Sequence, residues 1–174
     1  YENENPGMAV GVVGAGSWGT AIAGMLAAQR YPVDLWAHEK EVIESIKTSR
    51  ENTLFLPGIR LPEGIAPSHD MARVVSGKDL VVFVVPSHFV REVSLRAAPY
   101  LPEDAVVASA SKGIENKTHL TMTGILKETL PAAFAPRLAV LSGPSFAREV
   151  AAKAPTVVTA AAVDPTVAAF VQHV

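Results

Sequence analysis

The sequence has no cysteine, which excludes disulfide bonds and cysteine-based metal sites and suits a reducing compartment such as the cytoplasm. It has no apolar run near the roughly 18 residues of a membrane-spanning helix. The net charge is only −2, which indicates neither a nucleic-acid-binding nor a membrane-binding surface. The five histidines lack metal-ligand spacing, and no Ser/His/Asp set can be assembled. We therefore expect a cytoplasmic protein without a metal, a nucleic-acid partner or membrane insertion.

The 174 residues suffice for one domain, and 49% of them are hydrophobic, which supports a sizeable core. Residues 1–7 are polar and lack a charged region followed by an apolar one, so they do not resemble a signal peptide. We interpret residues 1–7 as a tag remnant or a disordered lead-in, with Met8 as a candidate native start. Residues 8–174 are then expected to form a single domain.

Strand-like and helix-like runs alternate along the chain. The pattern predicts strands at residues 8–13, 32–37, 80–85, 104–109, 138–142 and 155–161. It predicts helices at residues 17–29, 39–50, 70–76, 87–97, 118–130, 145–151 and 164–174, with Asp70 and Asp164 as N-caps. Residues 80–85 are continuously apolar, as in a parallel strand covered on both faces. We predict an α/β fold with a doubly wound, mainly parallel sheet and helices on both faces.

One segment interrupts the alternation. Residues 52–67 contain three prolines and two glycines and predict a long irregular excursion between a helix and a strand. Because long ordered loops in compact domains are often functional, we expect this segment to contribute to function.

A G-x-G-x-x-G motif closes the first predicted strand and opens the first predicted helix, which is the setting of a dinucleotide-binding fingerprint. Gly14 permits the tight turn, Gly16 lets a pyrophosphate approach the backbone, and Gly19 lets helix and strand pack closely. The N–H groups at the start of the helix can receive phosphates. Trp18, inside the motif, either covers the cofactor or packs against the helix. The predicted sheet is therefore of the Rossmann type.

Ligands of open parallel sheets bind at the carboxyl ends of the strands. Five segments directly follow predicted strands and should therefore converge on one cleft: residues 14–19, 38–40, 86–89, 109–113 and 142–147.

The segment after the second predicted strand bears on the choice of cofactor. His38 and Lys40 can accommodate the 2′-phosphate of NADP, whereas Glu39 points either toward it or away. Asp34 has roughly the spacing of a ribose ligand but lies within the strand. We favour NADP, and NAD stays open.

The later segments supply candidate catalytic and binding residues. Lys112 can neutralise a substrate phosphate or polarise a carbonyl, and we predict a functional role for it. Ser145 opens a helix, where it caps the helix, helps to bind a polar ligand, or both. Phe89 packs either on the cofactor or in the core.

Six motifs in order make the chain similar to the amino-terminal part of bacterial NAD(P)-dependent sn-glycerol-3-phosphate dehydrogenases. They are GAGSWGTA at residues 14–21, LWAH at 35–38, NTLFLP at 52–57, VVPSHF at 84–89, SKG at 111–113 and LSGPSFA at 141–147 with Glu149.

The resemblance implies roles for individual residues. Ser17, Trp18 and His38 match cofactor-binding positions, and Lys112 matches a residue that contacts both cofactor and substrate. Substrate contacts are implied for Gly143 and Ser145, and a cofactor contact for Ala147.

The resemblance also implies an activity, in which hydride passes between NAD(P)H and dihydroxyacetone phosphate to give sn-glycerol 3-phosphate for phospholipid synthesis. The family's general-base lysine lies in a following helical substrate domain, which this chain lacks, so we expect the chain alone to be inactive. A homodimer is expected for the full-length protein. Two alternatives stay open: another two-domain reductase, of the hydroxyacid or ketopantoate type, and a nucleotide-binding module without catalysis.

Overall fold

The computed structural model describes residues 7–174, so the lead-in predicted for residues 1–7 lies almost entirely outside the described residues. Within the described range one sheet has seven strands: β1 (Val10–Val13), β2 (Val33–Trp36), β3 (Ile65–Ser68), β4 (Leu80–Phe83), β5 (Val106–Ser109), β6 (Leu138–Ser142) and β7 (Thr159–Ala162). The α-helices there are α1 (Ser17–Ala28), α2 (Lys40–Ser49), α3 (Met71–Val75), α4 (Val90–Ala97), α5 (Met122–Thr129), α6 (Ala147–Ala151) and α7 (Pro165–His173).

The strands lie in the order β3-β2-β1-β4-β5-β6-β7. All neighbouring pairs are parallel except β6 and β7, which are antiparallel. Since β2 and β3 lie on one side of β1 and the later strands on the other, the direction of winding reverses between β1 and β4. The predicted doubly wound, mainly parallel sheet is confirmed, and such a reversal leaves a crevice at the carboxyl ends of the two strands.

The core lies on both faces of the sheet. Every residue of β1 and β4 is buried, in agreement with their continuous apolar sequences. Val12 and Val82 belong to a cluster on the side of α1 and α7, while Val13 and Phe83 pack on the side of α3, α4 and α5. Alternate residues of one strand therefore contribute to two separate cores.

Two predicted helix caps are confirmed. A carboxylate oxygen of Asp70 accepts from the backbone N–H of Arg73 at 3.4 Å, and one of Asp164 accepts from the N–H of Thr166 at 2.8 Å. Both bonds satisfy N–H groups that the first helical turn leaves without a backbone partner.

The prediction of an irregular segment at residues 52–67 is wrong at its end, where β3 forms the edge of the sheet. Pro67 lies opposite Leu35 of β2. Proline is compatible with a strand only where its missing N–H is not needed, as at an edge. The prolines and glycines of the segment concealed this short strand.

Other boundaries differ from the predictions near chain reversals. The strand predicted at residues 155–161 begins only at residue 159 and runs antiparallel. The helix predicted at 118–130 begins at Met122 after its cap Thr121, and the one predicted at 145–151 begins at Ala147. Residues 87–89 form a 3-10 turn ahead of α4.

We predict opposite stability effects for the same substitution at two glycines of α1. A Cβ atom at Gly19 would overlap the carbonyl oxygen of Gly14, so Gly19→Ala should lower the free energy of unfolding by about 1–3 kcal/mol. A Cβ atom at Gly24 would have its nearest heavy neighbour at 3.7 Å, and alanine favours helix, so Gly24→Ala should raise that free energy by up to about 1 kcal/mol. Urea denaturation of both variants measures these changes. Equal stability of Gly19→Ala and the unsubstituted chain would refute the close-packing role.

Candidate nucleotide-binding site

A cavity of about 300 Å³ lies at the carboxyl ends of β1 and β4, where the direction of winding reverses. This volume is at the lower end of the range typical of ligand sites. The predicted site residues Gly14, Gly16, His38 and Phe89 line it. Its other walls come from Ala15, Trp36, Glu39, Phe55, Val84, Val85, Pro86, Glu92, Val93 and Arg96.

The glycine loop leaves open space and an uncapped helix start beside the cavity. Gly14 adopts a φ of +123°, which favours glycine, and its N–H donates to the carbonyl of Trp36 at 3.1 Å. Nothing lies within 4 Å of the position where a Cβ atom of Gly16 would point. No side chain caps α1 at Gly16, and its first turn carries no acidic residue. Open space and uncapped N–H groups at the start of a helix fit a phosphate group.

Ser17 and Trp18, the two residues between Gly16 and Gly19, have different surroundings. Ser17, the first residue of α1, is exposed. Trp18 is partly buried and packs against the core cluster on the α1 side of the sheet. This packing leaves part of Trp18 exposed, and a cofactor contact of Trp18 stays a prediction.

Three rings and a guanidinium group cluster at the end of β2: those of Trp36, His38, His69 and Arg96. The ring of His38 lies about 6 Å from those of Trp36 and His69, and the guanidinium of Arg96 lies 5.4 Å from the Trp36 ring centroid. Glu39 lines the cavity, whereas Lys40 is the exposed first residue of α2 and is not among the lining residues. The side chains beside the cavity that can bind an anion are thus His38 and Arg96 instead of His38 and Lys40.

Arg96 was missed because it lies thirteen residues after the end of β4, in the last turn of α4. The tertiary placement of α4, which sets the guanidinium of Arg96 over the ring of Trp36 in β2, brings it to the cavity. Phe55 was missed as well, although the irregular segment that contains it was expected to be functional. Its side chain is 38% exposed and forms part of the cavity wall.

Phe89 lines the cavity with 46% of its surface exposed. It follows Pro86, Ser87 and His88 in the 3-10 turn after β4, and its ring centroid lies 4.1 Å from that of His88. Phe89 is therefore a residue of the cleft and not of the core.

The segments at residues 109–113 and 142–147 come together beside the cavity instead of lining it. The ammonium group of exposed Lys112 donates to the carbonyl of Gly143 at 3.3 Å. A Cβ atom at Gly113 would lie 3.1 Å from the side chain of Ser87, so the Lys112 loop abuts the turn that leads to Phe89. The expectation of a single cleft thus holds for three segments, and the other two form an adjoining polar surface.

Ser145 does not cap α6. The helix has Phe146 at its N-cap position and begins at Ala147, and it spans only five residues. The hydroxyl of Ser145 is buried and has no hydrogen-bond partner among residues 7–174. Of the roles considered for Ser145, this leaves polar-ligand binding as the candidate.

An ion-pair network fixes the loop that carries Lys112. The guanidinium of Arg91 donates two hydrogen bonds of 2.8 Å to Glu115 and a third of 2.8 Å to Glu128. The hydrogen bonds that Glu115 accepts from Arg91 have the largest effect on its pKa, and the one from Thr118 the next largest. Together they lower the pKa of Glu115 to about 2. The network ties this loop to α4 and α5.

Within residues 7–174, no helix is long and apolar enough to cross a bilayer. In the same range, no three His, Asp or Glu side chains are grouped so that they could hold a metal ion.

Comparison with known proteins agrees with the geometry. A family model described as the N-terminus of NAD-dependent glycerol-3-phosphate dehydrogenase matches residues 9–168. The chain is 51% identical over 169 residues to a glycerol-3-phosphate dehydrogenase (NAD(P)+) of Syntrophobacter fumaroxidans, a match that covers 97% of the chain and 50% of that relative. The chain thus spans about half the length of the curated relatives it matches.

Solved structures give the same result. A glycerol-3-phosphate dehydrogenase from Coxiella burnetii superimposes with a TM-score of 0.85 at 30% identity, covering 95% of this chain and 50% of that one. A ketopantoate reductase from Ralstonia eutropha is less similar, with a TM-score of 0.61 at 27% identity, covering 78% and 41%.

We predict that Glu115 contributes to an acid-induced loss of stability. The unfolded chain binds a proton at a glutamate near pH 4.3, whereas folded Glu115 stays ionised to about pH 2. The unfolded state therefore binds more protons in this window, and stability should fall as the pH falls from about 4.3 to 2. Urea denaturation across this range should show a shallower pH dependence for Glu115→Gln than for the unsubstituted chain. Glu103→Gln, at an exposed glutamate before β5, is the control. Identical pH dependence of Glu115→Gln and the control would contradict the prediction.

Proposed function

Because the chain belongs to the NAD-dependent glycerol-3-phosphate dehydrogenase family, we propose that it is the nucleotide-binding half of an enzyme that reduces dihydroxyacetone phosphate to sn-glycerol 3-phosphate with NADPH or NADH. The observation that carries the proposal is the cavity at the β1/β4 reversal, with Gly16 open toward it and the polar Lys112 surface beside it. The product is a precursor for phospholipid synthesis.

The residues present fit a dinucleotide. The uncapped start of α1, with Gly16 and Ser17, would hold the pyrophosphate. Phe55 and Phe89 would provide apolar walls, and Trp18 would support the loop from the core side. The bound dinucleotide supplies the hydride for reduction of the substrate carbonyl.

Lys112 is proposed to stabilise negative charge. Its ammonium group is exposed beside the cavity and can approach a substrate phosphate or the oxygen that becomes an alkoxide. Gly143 and the unpartnered hydroxyl of Ser145 would contact the substrate next to it, and Ala147 would contact the cofactor. We assign proton transfer to a lysine in the part of the longer protein that follows this chain.

The surroundings of His38 favour NADPH over NADH. The imidazole of His38 and the guanidinium of Arg96 lie beside the same cavity and can both attract a 2′-phosphate. Glu39 also lines the cavity and disfavours the additional negative charge, so NADH is the second cofactor in this proposal.

The longer protein is proposed to act in the cytoplasm, as a homodimer, on a small-molecule substrate and without nucleic acid. The absence of cysteine and the net charge of −2 support the compartment and the lack of nucleic-acid binding. Light scattering of the longer protein with and without added DNA tests the dimer and the absence of a complex.

For the choice of cofactor, we predict that His38→Asp lowers the ratio of NADPH to NADH affinity about tenfold, or about 1.4 kcal/mol. A carboxylate repels the 2′-phosphate and accepts a hydrogen bond from the 2′-hydroxyl. Fluorescence titration of the 174-residue chain with each cofactor measures the ratio. Lys40→Ala, which changes a cation not among the lining residues, should leave the ratio unchanged. An unaltered ratio in His38→Asp would assign His38 to the loop surface alone.

For catalysis, we predict that Lys112→Ala in the longer protein lowers kcat for dihydroxyacetone phosphate by about 10²- to 10³-fold, as is typical when one charge-stabilising donor is lost. The affinity for NADPH should change far less, because the glycine loop and the start of α1 hold most of the nucleotide. Steady-state kinetics and a cofactor titration separate the two effects.

Lys117→Ala, at an exposed lysine of the same loop, is the matched control and should retain full turnover. The 174-residue chain alone should bind NADPH without turnover. Normal rates in Lys112→Ala, or robust turnover by the 174-residue chain, would show that the catalytic assignment is wrong.

A further inference from the structure

Asn52 is a fully buried polar residue whose side-chain amide has partners on both its nitrogen and its oxygen. Its Nδ2 donates to the carbonyl of Ala15 at 2.9 Å and to the hydroxyl of Thr20 at 2.8 Å. Its Oδ1 accepts from the backbone N–H of Phe55 at 3.0 Å. A single planar group thus provides two donors and one acceptor, which among side chains of this size only an amide can do.

Two of the partners of Asn52, Ala15 and Phe55, lie in different walls of the cavity. Ala15 lies between the first two glycines of the loop, and Thr20 is in the first turns of α1. Phe55 belongs to the segment that follows α2. The backbone of Asn52 joins the same arrangement, since its carbonyl accepts from the N–H of buried Leu56 at 2.9 Å. Asn52 therefore connects the glycine loop directly to the Phe55 wall.

The bond to Ala15 also determines the orientation of a peptide group in the glycine loop. A trans peptide holds its C=O and its N–H on opposite sides. When Asn52 and Thr20 hold the oxygen of Ala15, the N–H of Gly16 is fixed on the side away from Asn52. This removes one degree of freedom from the loop that is proposed to receive the pyrophosphate.

We propose that Asn52 is a positioning residue for the nucleotide, which sets the glycine loop and the Phe55 wall at a fixed separation before the cofactor binds. The inference rests on the proposed function and deepens it. Groups that are ordered in the free protein lose less conformational entropy on binding, so the bridge raises affinity without touching the ligand. Asn52 acts on the cofactor through Ala15 and Phe55 together.

A purely structural role predicts a different result, and Ser45 provides the comparison. The hydroxyl of Ser45 donates to the carbonyl of Glu51 at 2.6 Å and accepts from the N–H of Thr53 at 3.2 Å. It anchors the same segment to α2 without contacting the glycine loop. If the segment needed only anchoring, Ser45→Ala and Asn52→Ala would reduce cofactor affinity alike.

The test is a double-mutant cycle on the 174-residue chain, with NADPH as the probe. Asn52→Ala, Phe55→Ala and the double variant are titrated with NADPH at a temperature at which melting curves show each to be folded. We expect each single variant to weaken NADPH binding about tenfold. The loss of affinity in the double variant should be about fivefold smaller than the two single losses multiplied together, because residues that share one connection do not act independently. Ser45→Ala should bind NADPH as the unsubstituted chain does.

Each outcome decides the proposal. The proposal would be overturned if the effects of Asn52→Ala and Phe55→Ala on NADPH affinity were independent. It would also be overturned if Asn52→Ala lowered the Tm without changing the affinity, or if Ser45→Ala and Asn52→Ala reduced the affinity equally. If Asn52→Ala does not fold, Thr20→Val replaces it in the cycle, since it preserves shape and removes one acceptor of the amide, with an expected loss of about threefold. Failure of the unsubstituted chain to bind NADPH or NADH would instead refute the proposed function.

Discussion

The close backbone approach at Gly14 is the constraint on which the rest of the site depends. A side chain at Gly19 would collide with the carbonyl of Gly14, and one at Gly14 would collide with the carbonyl of Val84 at the end of β4. Two glycines therefore allow α1 to begin close to the carboxyl ends of β1 and β4. Without this contact, the first turn of α1 would lie farther from the sheet, and the cavity would lose the wall that offers free N–H groups to a ligand.

The features that could be predicted from the sequence are those that depend on local pattern. Continuous apolar runs located β1 and β4, and the spacing of glycines located the turn before α1. What the sequence concealed depends on partners that are distant along the chain. The β3 strand exists because Ile65 and Pro67 pack beside β2, against their local preference for a turn. Arg96 reaches the cavity only through the packing of α4. Ser145 failed as a predicted cap because α6 starts two residues later.

The site divides into a nucleotide cavity and an adjoining polar surface, and different physical means stabilise the two parts. Backbone contacts and buried apolar residues define the cavity. Charged groups hold the polar surface, with Arg91 and Glu115 fixing the loop and Lys112 bonded to a carbonyl of the next segment. The second part is the more exposed, and the chain spans about half of its curated relatives. The cavity is therefore the more rigidly defined part of the site, and the polar surface is the more accessible one.

The proline in β3 has a consequence for association between molecules. In a parallel ladder with this register, the N–H of residue 67 would point away from β2, toward the open edge of the sheet. Pro67 has no N–H, so this edge lacks a donor that a foreign strand would need for pairing. The opposite edge, β7, has no proline, and exposed Val157, Val158 and Val163 flank it. Within residues 7–174, strand addition is therefore opposed at the β3 edge by the missing donor, a protection that β7 does not share.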